Sequence, residues 1–195
     1  LRVHDLGYGA HGGIPELRAA ILDHISATRG VIARPEQVLI VPSTGAAISL
    51  LASVLLWADH PNGGLAWIED PGYATAHALL RMAGAALVAV PCDEEGIDIA
   101  RADGPPPRLI YVTPSHQYPT GVTMSLSRRL ALLEFARATG AIVLEDDYDS
   151  EFQYASRPIA ALQGIDRGEV VAYLGTFSKT LAPGLRVAYA VVPSR

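Results

Sequence analysis

Short apolar runs alternate along this chain with segments whose apolar residues recur at helical spacing, and this alternation constrains the fold most. Seven runs predict strands: 37–41, 65–68, 86–90, 109–113, 141–145, 170–174 and 186–192. Four segments between them predict helices: 16–29, 44–57, 73–82 and 127–139, the last with Ser127 as its N-cap. Most strand runs are apolar on both faces. The sequence therefore predicts an α/β fold with a mainly parallel central sheet, helices on both faces, and one domain over residues 1–195.

The composition excludes several kinds of protein. Half of the 195 residues are hydrophobic and 18% are charged, with a net charge of −5. The arginines are scattered, so we do not expect this segment to bind nucleic acid by itself. Cys92 is the only cysteine, which rules out an internal disulfide. No apolar run has the length of a membrane span and no signal peptide opens the chain, so we expect a cytoplasmic protein.

Ligands of open parallel sheets bind at the carboxyl ends of the strands, so polar residues directly after the strands are candidates for a site. Lys179 follows the run 170–174 among small and apolar neighbours. Burial lowers the pKa of an amine, and a neutral amine forms a Schiff base with a carbonyl. Thr176, Ser178 and Arg186 could hold a phosphate, which completes the groups that pyridoxal 5′-phosphate requires. An exposed lysine on a surface loop fits the same stretch.

A second stretch, 144–152 (LEDDYDSEF), follows the run 141–145. Asp146 at the strand end could keep a pyridine nitrogen protonated, and Tyr148 could contact the neighbouring ring oxygen, O3′. The same acidic run also fits an exposed loop. A third interpretation is a Mg²⁺ site, because clustered carboxylates suit that ion. This stretch alone does not decide between them.

Three further stretches follow other strands. Tyr73, at the end of EDPGY (69–73), could stack on a flat ring or simply close a turn. The small residues of PSTGAA (42–47) lead into a helix, whose amino terminus is suited to phosphate. PSHQYPTG (114–121) is a polar turn. Taken together, five polar stretches after five strands supply the chemistry that one cofactor needs, whereas the six histidines show no spacing typical of a zinc site.

The stretches PSHQYPTG, EDDYDSEF and GTFSKTLAPGLR (175–186), with GYGAHGGIPELRAAI (7–21), resemble the fold-type I pyridoxal-phosphate enzymes, the aspartate aminotransferase superfamily. Within it they are most similar to the MocR/GabR-type transcriptional regulators of the GntR family. The C-terminal half of those regulators is an aminotransferase-like domain. The resemblance covers essentially the whole chain.

The resemblance implies a role for each matching residue. Lys179 would form the Schiff base with the cofactor (the internal aldimine), Asp146 would pair with the pyridine nitrogen, and Tyr148 with O3′. Tyr73 would stack on the ring. The phosphate would be held by Thr176, Ser178, Arg186 and the backbone amides of Ala46 and Ala47. Tyr8 would reach the phosphate of the partner subunit, which implies a homodimer.

Three positions depart from the usual family pattern. Tyr118 precedes Pro-Thr-Gly where ordinary aminotransferases have an asparagine that contacts O3′, and this favours the regulator branch. Ala46 and Ala47 stand where polar side chains are usual, which leaves backbone amides and Thr44 for the phosphate. Ala188 replaces a usual glycine after the arginine stretch.

The resemblance implies an effector-sensing domain that binds pyridoxal phosphate and exchanges an amino compound with Lys179. Family members also carry a small C-terminal domain, and the regulators begin with a basic winged-helix domain that binds DNA. Neither is found in this sequence, which is therefore expected to be the cofactor-binding large domain of a longer protein.

Two alternatives remain open at this stage. One is a metabolic class I/II aminotransferase in which Lys179 acts as general base. The other is a Mg²⁺-dependent domain using Asp146, Asp147 and Asp149, which leaves the other matching residues unexplained.

Overall fold

The computed structural model describes residues 9–56, 64–149, 160–167 and 169–194, and its centre is an eight-stranded sheet. The strands are β1 (Val38–Val41), β2 (Leu65–Asp70), β3 (Ala86–Asp93), β4 (Gly96–Ile97), β5 (Leu109–Val112), β6 (Ile142–Asp147), β7 (Val171–Thr176) and β8 (Ala188–Val191). Their order in the sheet is β1-β8-β7-β6-β5-β2-β3-β4. All seven predicted strands are found, and only the two-residue strand β4 was not predicted.

The central strands run parallel. β3, β2, β5, β6 and β7 form four consecutive parallel pairs. β8 is antiparallel to both β7 and β1, and β4 is antiparallel to β3. The prediction of a mainly parallel sheet is confirmed. Because the five parallel strands share one direction, their carboxyl ends meet at one edge.

Among the described residues, five α-helices pack around the sheet: α1 (Pro15–Arg29), α2 (Thr44–Leu55), α3 (Ala74–Met82), α4 (Leu126–Thr139) and α5 (Leu162–Asp166). Ser125, not Ser127, caps α4, and its Oγ accepts a hydrogen bond of 3.3 Å from the amide of Arg128. α2 ends at Leu55, and Trp57, which was predicted to belong to it, lies outside the described residues. α5, with five residues, is too short to show a helical period in the sequence.

The helices cover both faces of the sheet, as predicted. Ala66 and Ile68 pack in the same buried cluster as residues of α2 and α3, whereas Trp67 between them packs with residues of α4. This alternation is the period of two that a strand imposes on its side chains. α1 packs on the face of Trp67, with its own cluster around Tyr173 of β7 and Tyr189 of β8. No helix in the described part of the chain combines the length and hydropathy needed to cross a membrane.

A buried arginine fixes the loop between β5 and α4. Arg129 on α4 is fully buried, and it donates hydrogen bonds to the carbonyl oxygens of Pro114 (2.7 Å), Met124 (3.0 Å) and Ala160 (3.1 Å). A buried guanidinium is tolerated only when such acceptors compensate its lost hydration. Arg129 therefore holds the start of the loop 114–121 at the carboxyl edge of the sheet.

Candidate functional site

A cavity of ≈ 440 Å³ lies at the carboxyl edge of the parallel strands. Its lining residues come from the ends of β5, β6 and β7, from the start of α2 and α3, and from the turn after β7. They are Ser43, Thr44, Gly45, Tyr73, Thr75, Tyr111, Thr113, Tyr118, Asp146, Tyr148, Thr176, Ser178, Lys179 and Arg186. The position is the one expected for a ligand of an open parallel sheet.

Seven of the residues singled out in the sequence line this one cavity: Tyr73, Asp146, Tyr148, Thr176, Ser178, Lys179 and Arg186. Their contacts with a cofactor remain predictions. Lys179 is exposed, which differs from the interior position that its small and apolar neighbours suggested. The reason is that it lies on a turn at the rim of the cavity, closed by a hydrogen bond from the Leu181 amide to the Phe177 carbonyl. Tyr8 lies outside the described residues.

The start of α2 adds two candidates for the phosphate. The Ala46 amide donates to the Oγ of the N-cap residue Ser43 (3.1 Å), and the Ala47 amide donates to the Ser43 carbonyl (3.1 Å). The role of these two amides as phosphate contacts stays a prediction. The first turn of a helix leaves the two preceding amides, those of Thr44 and Gly45, without an intrahelical acceptor. Both of these residues line the cavity, so we add them to Ala46 and Ala47 as candidates.

Two hydroxyl groups and an arginine line the same cavity. Thr176 Oγ1 is 3.0 Å from Ser178 Oγ and accepts a hydrogen bond of 3.1 Å from the Ser178 amide. Arg186 adopts a left-handed backbone conformation with φ 52°, which costs a non-glycine residue about 1 kcal/mol. Backbone strain of this kind concentrates at functional sites, and here it accompanies a guanidinium that lines the cavity.

A buried carboxylate at the floor of the cavity has one oxygen without a hydrogen-bond partner. Asp146 Oδ2 accepts a 2.7 Å hydrogen bond from the Tyr111 hydroxyl. Asp146 Oδ1 is buried and has no hydrogen-bond partner among the described residues. Burial raises the pKa of Asp146 to about 6; the hydrogen bond from Tyr111 opposes this shift, and the charges of Asp147 and Asp149 add to it. A positively charged N–H group in the cavity would satisfy Oδ1 and favour the ionised carboxylate.

One wall of the cavity is aromatic. The rings of Tyr73 and Tyr118 meet edge to face with centroids 5.5 Å apart, and Tyr118 meets Tyr148 in the same way at 6.4 Å. The His116 ring is stacked on Tyr148 at 6.0 Å and also contacts Asp149. Burial raises the pKa of the Tyr148 phenol, and the nearby Asp149 carboxylate raises it further. The phenol is therefore a hydrogen-bond donor at physiological pH.

Two buried polar side chains that the sequence did not single out hold this wall in place. Glu69, at the end of β2, accepts hydrogen bonds from the Thr113 hydroxyl (2.6 Å) and amide (3.2 Å). Gln117 donates to the carbonyls of Pro71 (2.7 Å) and Tyr118 (2.6 Å). The loop that carries Tyr73 is thus tied to the loop that carries Tyr118. A glutamate at the end of an apolar strand is the sequence signal that could have revealed this cluster.

Asp147 points away from the cavity, into the core. Its Oδ2 accepts hydrogen bonds from Arg29 Nε (2.7 Å) and from the Tyr173 hydroxyl (2.6 Å). The Asp146 carboxylate therefore faces the cavity and the Asp147 carboxylate faces the core. A Mg²⁺ site would need both carboxylates close to one ion, so this arrangement does not support the Mg²⁺ alternative. Within the described ranges, no group of three or more histidine, cysteine, aspartate or glutamate side chains is placed to hold a metal ion.

A lysine, a buried carboxylate, two hydroxyl groups and an arginine around one cavity of a mainly parallel sheet define an aminotransferase-like α/β domain. Residues 4–195 match the family Aminotransferase class I and II, and the chain belongs to this family. The predicted superfamily is confirmed.

Two regulators are among the similar proteins. The chain is 44% identical over 192 residues to the probable rhizopine catabolism regulatory protein MocR of Rhizobium meliloti, covering 97% of this chain and 38% of that protein. It is 39% identical over 182 residues to the HTH-type transcriptional regulator TauR of Rhodobacter capsulatus, covering 92% and 36%. The predicted resemblance to MocR-type regulators is therefore confirmed. The chain spans less than half the length of these relatives.

A solved structure of an enzyme is similar as well. LysN, the alpha-aminoadipate aminotransferase of Thermus thermophilus, was solved with N-(5′-phosphopyridoxyl)-L-leucine bound. It is 34% identical with a TM-score of 0.81, over 96% of this chain and 47% of that one. Family membership makes pyridoxal 5′-phosphate the cofactor of the domain, as predicted. The residues present fit it, since Lys179, the unpaired Oδ1 of Asp146 and the amino terminus of α2 all border one cavity.

Proposed function

We propose that this chain is the large, cofactor-binding domain of a MocR-type transcriptional regulator, and that it senses an amino compound. The observation that carries the proposal is that Lys179 and the unpaired Oδ1 of Asp146 border the same cavity. The 44% identity to MocR and the tyrosine at position 118 favour the regulator over a metabolic aminotransferase.

Asp146 and Lys179 would hold different groups of the cofactor in this proposal. Asp146 Oδ1 would accept the N–H of the pyridine ring, while Tyr111 holds the other oxygen of the carboxylate. When bound, pyridoxal phosphate supplies a ring that withdraws electrons from an attached amino compound. The Lys179 amine would hold the aldehyde group of the cofactor. A Lys179 Nζ that is not engaged in this way would be able to accept a proton from a bound amino compound.

The remaining lining residues position the ring and its phosphate. The amides of Thr44 and Gly45 lie at the positive end of the α2 dipole, where a phosphate is stabilised. Arg186, Thr176 and Ser178 complete the anion site from the other side. The aromatic wall of Tyr73, Tyr118 and Tyr148 gives the ring flat surfaces and one phenol donor for O3′.

We propose that the response reaches the DNA through other parts of the protein. Leu181 and Leu185 follow Lys179 in the chain and are 68% and 56% exposed. Exposed leucines beside a ligand site are typical of an interface, which here would be with a second copy of the chain. Tyr8 of that copy would reach the phosphate. A change at Lys179 would then alter the arrangement of the dimer. Through an N-terminal DNA-binding domain, this would change the affinity of the protein for DNA in the cytoplasm.

The test uses the full-length protein with added pyridoxal phosphate. We expect a visible absorbance band, loss of this band in Lys179→Ala, and a pyridoxyl group on Lys179 after borohydride reduction. Lys179 is the only lysine in these 195 residues, so within this domain a labelled peptide identifies the site. A band that persists unchanged in Lys179→Ala would contradict the assignment.

A second experiment separates the regulator from the enzyme. Amino compounds are screened for a change in the band, and those that change it are added to a DNA-binding assay. The regulator predicts that DNA affinity follows the spectral change, with no sustained release of keto acid. Steady turnover with unchanged DNA binding would instead establish a metabolic aminotransferase.

A further inference from the structure

A half-exposed histidine contacts the aromatic wall of the cavity. His116 belongs to the loop between β5 and α4, and 46% of its side chain is exposed. It does not line the cavity, but its ring is stacked on Tyr148, which does. Any effect of His116 on a bound cofactor therefore has to pass through a neighbouring residue.

The backbone of His116 is fixed on both sides. Its neighbours Ser115 and Gln117 are buried, whereas His116 is not. Ser115 Oγ accepts a 2.6 Å hydrogen bond from Arg29, and the Gln117 side chain donates one of 2.7 Å to the carbonyl oxygen of Pro71. These two anchors set the point at which the His116 side chain leaves the loop.

The imidazole ring of His116 is held by contacts on three sides. Its face lies against the Tyr148 ring, with centroids 6.0 Å apart and an angle of 14° between the planes. Its Nδ1 contacts the Asp149 carboxylate. A Cβ added to Gly121 would lie 3.1 Å from Nε2, so the backbone of Gly121 passes close to that edge of the ring. The ring is therefore restrained although much of it faces solvent.

The Tyr148 ring needs such support because of its place in the chain. Tyr148 directly follows the last residue of β6, so the strand does not fix its backbone. Tyr118 contacts the Tyr148 ring edge to face, but Tyr118 is itself exposed. A parallel, offset stack at the separation seen for His116 is a favourable aromatic arrangement. His116 thus supplies the flat contact that sets the plane of the Tyr148 ring.

We propose that His116 is a positioning residue: it holds the Tyr148 ring at the angle that presents its phenol to O3′ of bound pyridoxal phosphate, and Asp149 anchors the imidazole. This inference rests on the role proposed above for Tyr148. It assigns no proton transfer to His116, since the face of the imidazole, and not a ring nitrogen, meets Tyr148. The contact between His116 and Asp149 also joins the loop after β5 to the stretch after β6, which carry Tyr118 and Tyr148.

The first test measures the dissociation constant of pyridoxal phosphate for variants of the full-length protein. His116→Ala should bind the cofactor about three- to tenfold more weakly, the range expected for one aromatic contact. His116→Phe keeps a flat ring but loses the contact with Asp149, so its affinity should lie closer to that of the parent protein than to that of His116→Ala. Equal losses in the two variants would overturn the proposal.

A double variant shows whether His116 acts through the phenol. Tyr148→Phe removes only the hydroxyl, so it should weaken binding and shift the absorbance band of the bound cofactor. His116→Ala alone should shift the band in the same direction. In the Tyr148→Phe background, His116→Ala should weaken binding at most about twofold further, because the phenol whose position it sets is gone. If it still had its full effect there, His116 would not act through the phenol, and the proposal would be wrong.

The same variants distinguish this inference from the proposed function. Unchanged binding in His116→Ala, with weaker binding in Tyr148→Phe, would refute the positioning role and leave the contact of Tyr148 with O3′ in place. Unchanged binding and an unchanged band in Tyr148→Phe would count against that contact, and with it against the role of His116.

A matched control separates positioning from a general loss of stability. Phe135 is stacked on Trp67 with centroids 5.0 Å apart, and neither residue lines the cavity. Phe135→Ala should therefore lower the melting temperature and leave the affinity for pyridoxal phosphate unchanged. His116→Ala should do the opposite, with a smaller change in melting temperature because its side chain is half exposed. A larger drop in melting temperature for His116→Ala than for Phe135→Ala would indicate a structural role only and would contradict the proposal.

Discussion

The Tyr111 hydroxyl and Asp146 Oδ2 are joined by a 2.7 Å hydrogen bond between neighbouring strands. Tyr111 lies within β5 and Asp146 near the end of β6, and the two strands are in parallel register. Since both backbones are fixed by the sheet, the phenol sets the direction in which the carboxylate presents its second oxygen. The geometry of the cavity floor is therefore a property of the sheet and not of a loop.

Tyr111→Phe removes this donor. The hydrogen bond from Tyr111 opposes the rise of the Asp146 pKa, so without it we expect that pKa to move above about 6. Pyridoxal phosphate requires the ionised carboxylate, so its affinity should fall by about ten- to a hundredfold, as for one hydrogen bond to a charged group. The loss should be greater at pH 6 than at pH 8. Titration of the absorbance band at the two pH values measures it, and an equal loss at both would contradict the explanation.

Glu69 makes the stability of the cofactor-free protein depend on pH. Burial raises the pKa of Glu69 from 4.5 to about 7. The folded state keeps a proton that the unfolded chain has released, so the contribution of this group is complete below about pH 4.5 and is lost as the pH rises through 7. We expect the free energy of unfolding to fall by roughly 3 kcal/mol over this window from Glu69.

Urea unfolding between pH 5 and pH 8 provides the measurement, with Glu69→Gln as the comparison. The variant should show a smaller decline, and a residual decline should remain because burial also raises the pKa of Glu145 to about 7. Parallel curves for the two proteins would show that Glu69 does not carry the effect.

Gln117→Ala should loosen the aromatic wall. It removes the donor to the carbonyls of Pro71 and Tyr118 and leaves both less well paired, so we expect a loss of about 2 kcal/mol of stability and weaker binding of pyridoxal phosphate. Gln163→Ala is the matched control. Gln163 is equally buried and bonds to the backbone of Ile32 far from the cavity. It should lose similar stability with unchanged cofactor affinity; equal losses of affinity in both variants would refute the positioning role.

Gly175→Ala should disturb the strand that leads to Lys179. A Cβ at position 175 would lie 2.3 Å from the Tyr189 ring, so the ring or the strand must move. Overpacking of this kind costs about 1–3 kcal/mol. Gly184→Ala, where an added Cβ meets nothing within 4 Å, should stay within about 0.5 kcal/mol of the parent protein. Thermal unfolding of both variants measures the difference in stability. Similar melting temperatures for the two variants would contradict the predicted clash with Tyr189.

The sheet and the general position of the site were predictable, because apolar runs give strands and parallel strands bring their carboxyl ends together. That is why Asp146, Tyr148 and Lys179 were found from their positions after such runs. Tyr111 was not predicted as a site residue, because it lies within an apolar run that burial in the sheet already explains. Its hydroxyl could nevertheless have indicated a nearby polar group, since a buried phenol needs a hydrogen-bond partner.

The phosphate end of the site depends on where α2 begins. Ala46 and Ala47 were predicted to contact the phosphate, and the structure adds Thr44 and Gly45, two residues earlier, as candidates because both line the cavity. Sequence patterns place helix ends less precisely than this. The hydrogen bonds that Ser43 accepts from the Ala46 and Ala47 amides are visible only once the backbone is known.

The place of β8 in the sheet has a consequence for how the protein is made. β8 is the last of the eight strands along the chain, yet it lies between β1 and β7. Gln37, just before β1, donates a hydrogen bond to the carbonyl of Val192, 155 residues later. While the ribosome is still adding residues before 188, β1 has no neighbour and the outer edge of β7, which leads to Lys179, is bare. The growing chain thus completes its cofactor pocket only when β8 has emerged and closed that gap.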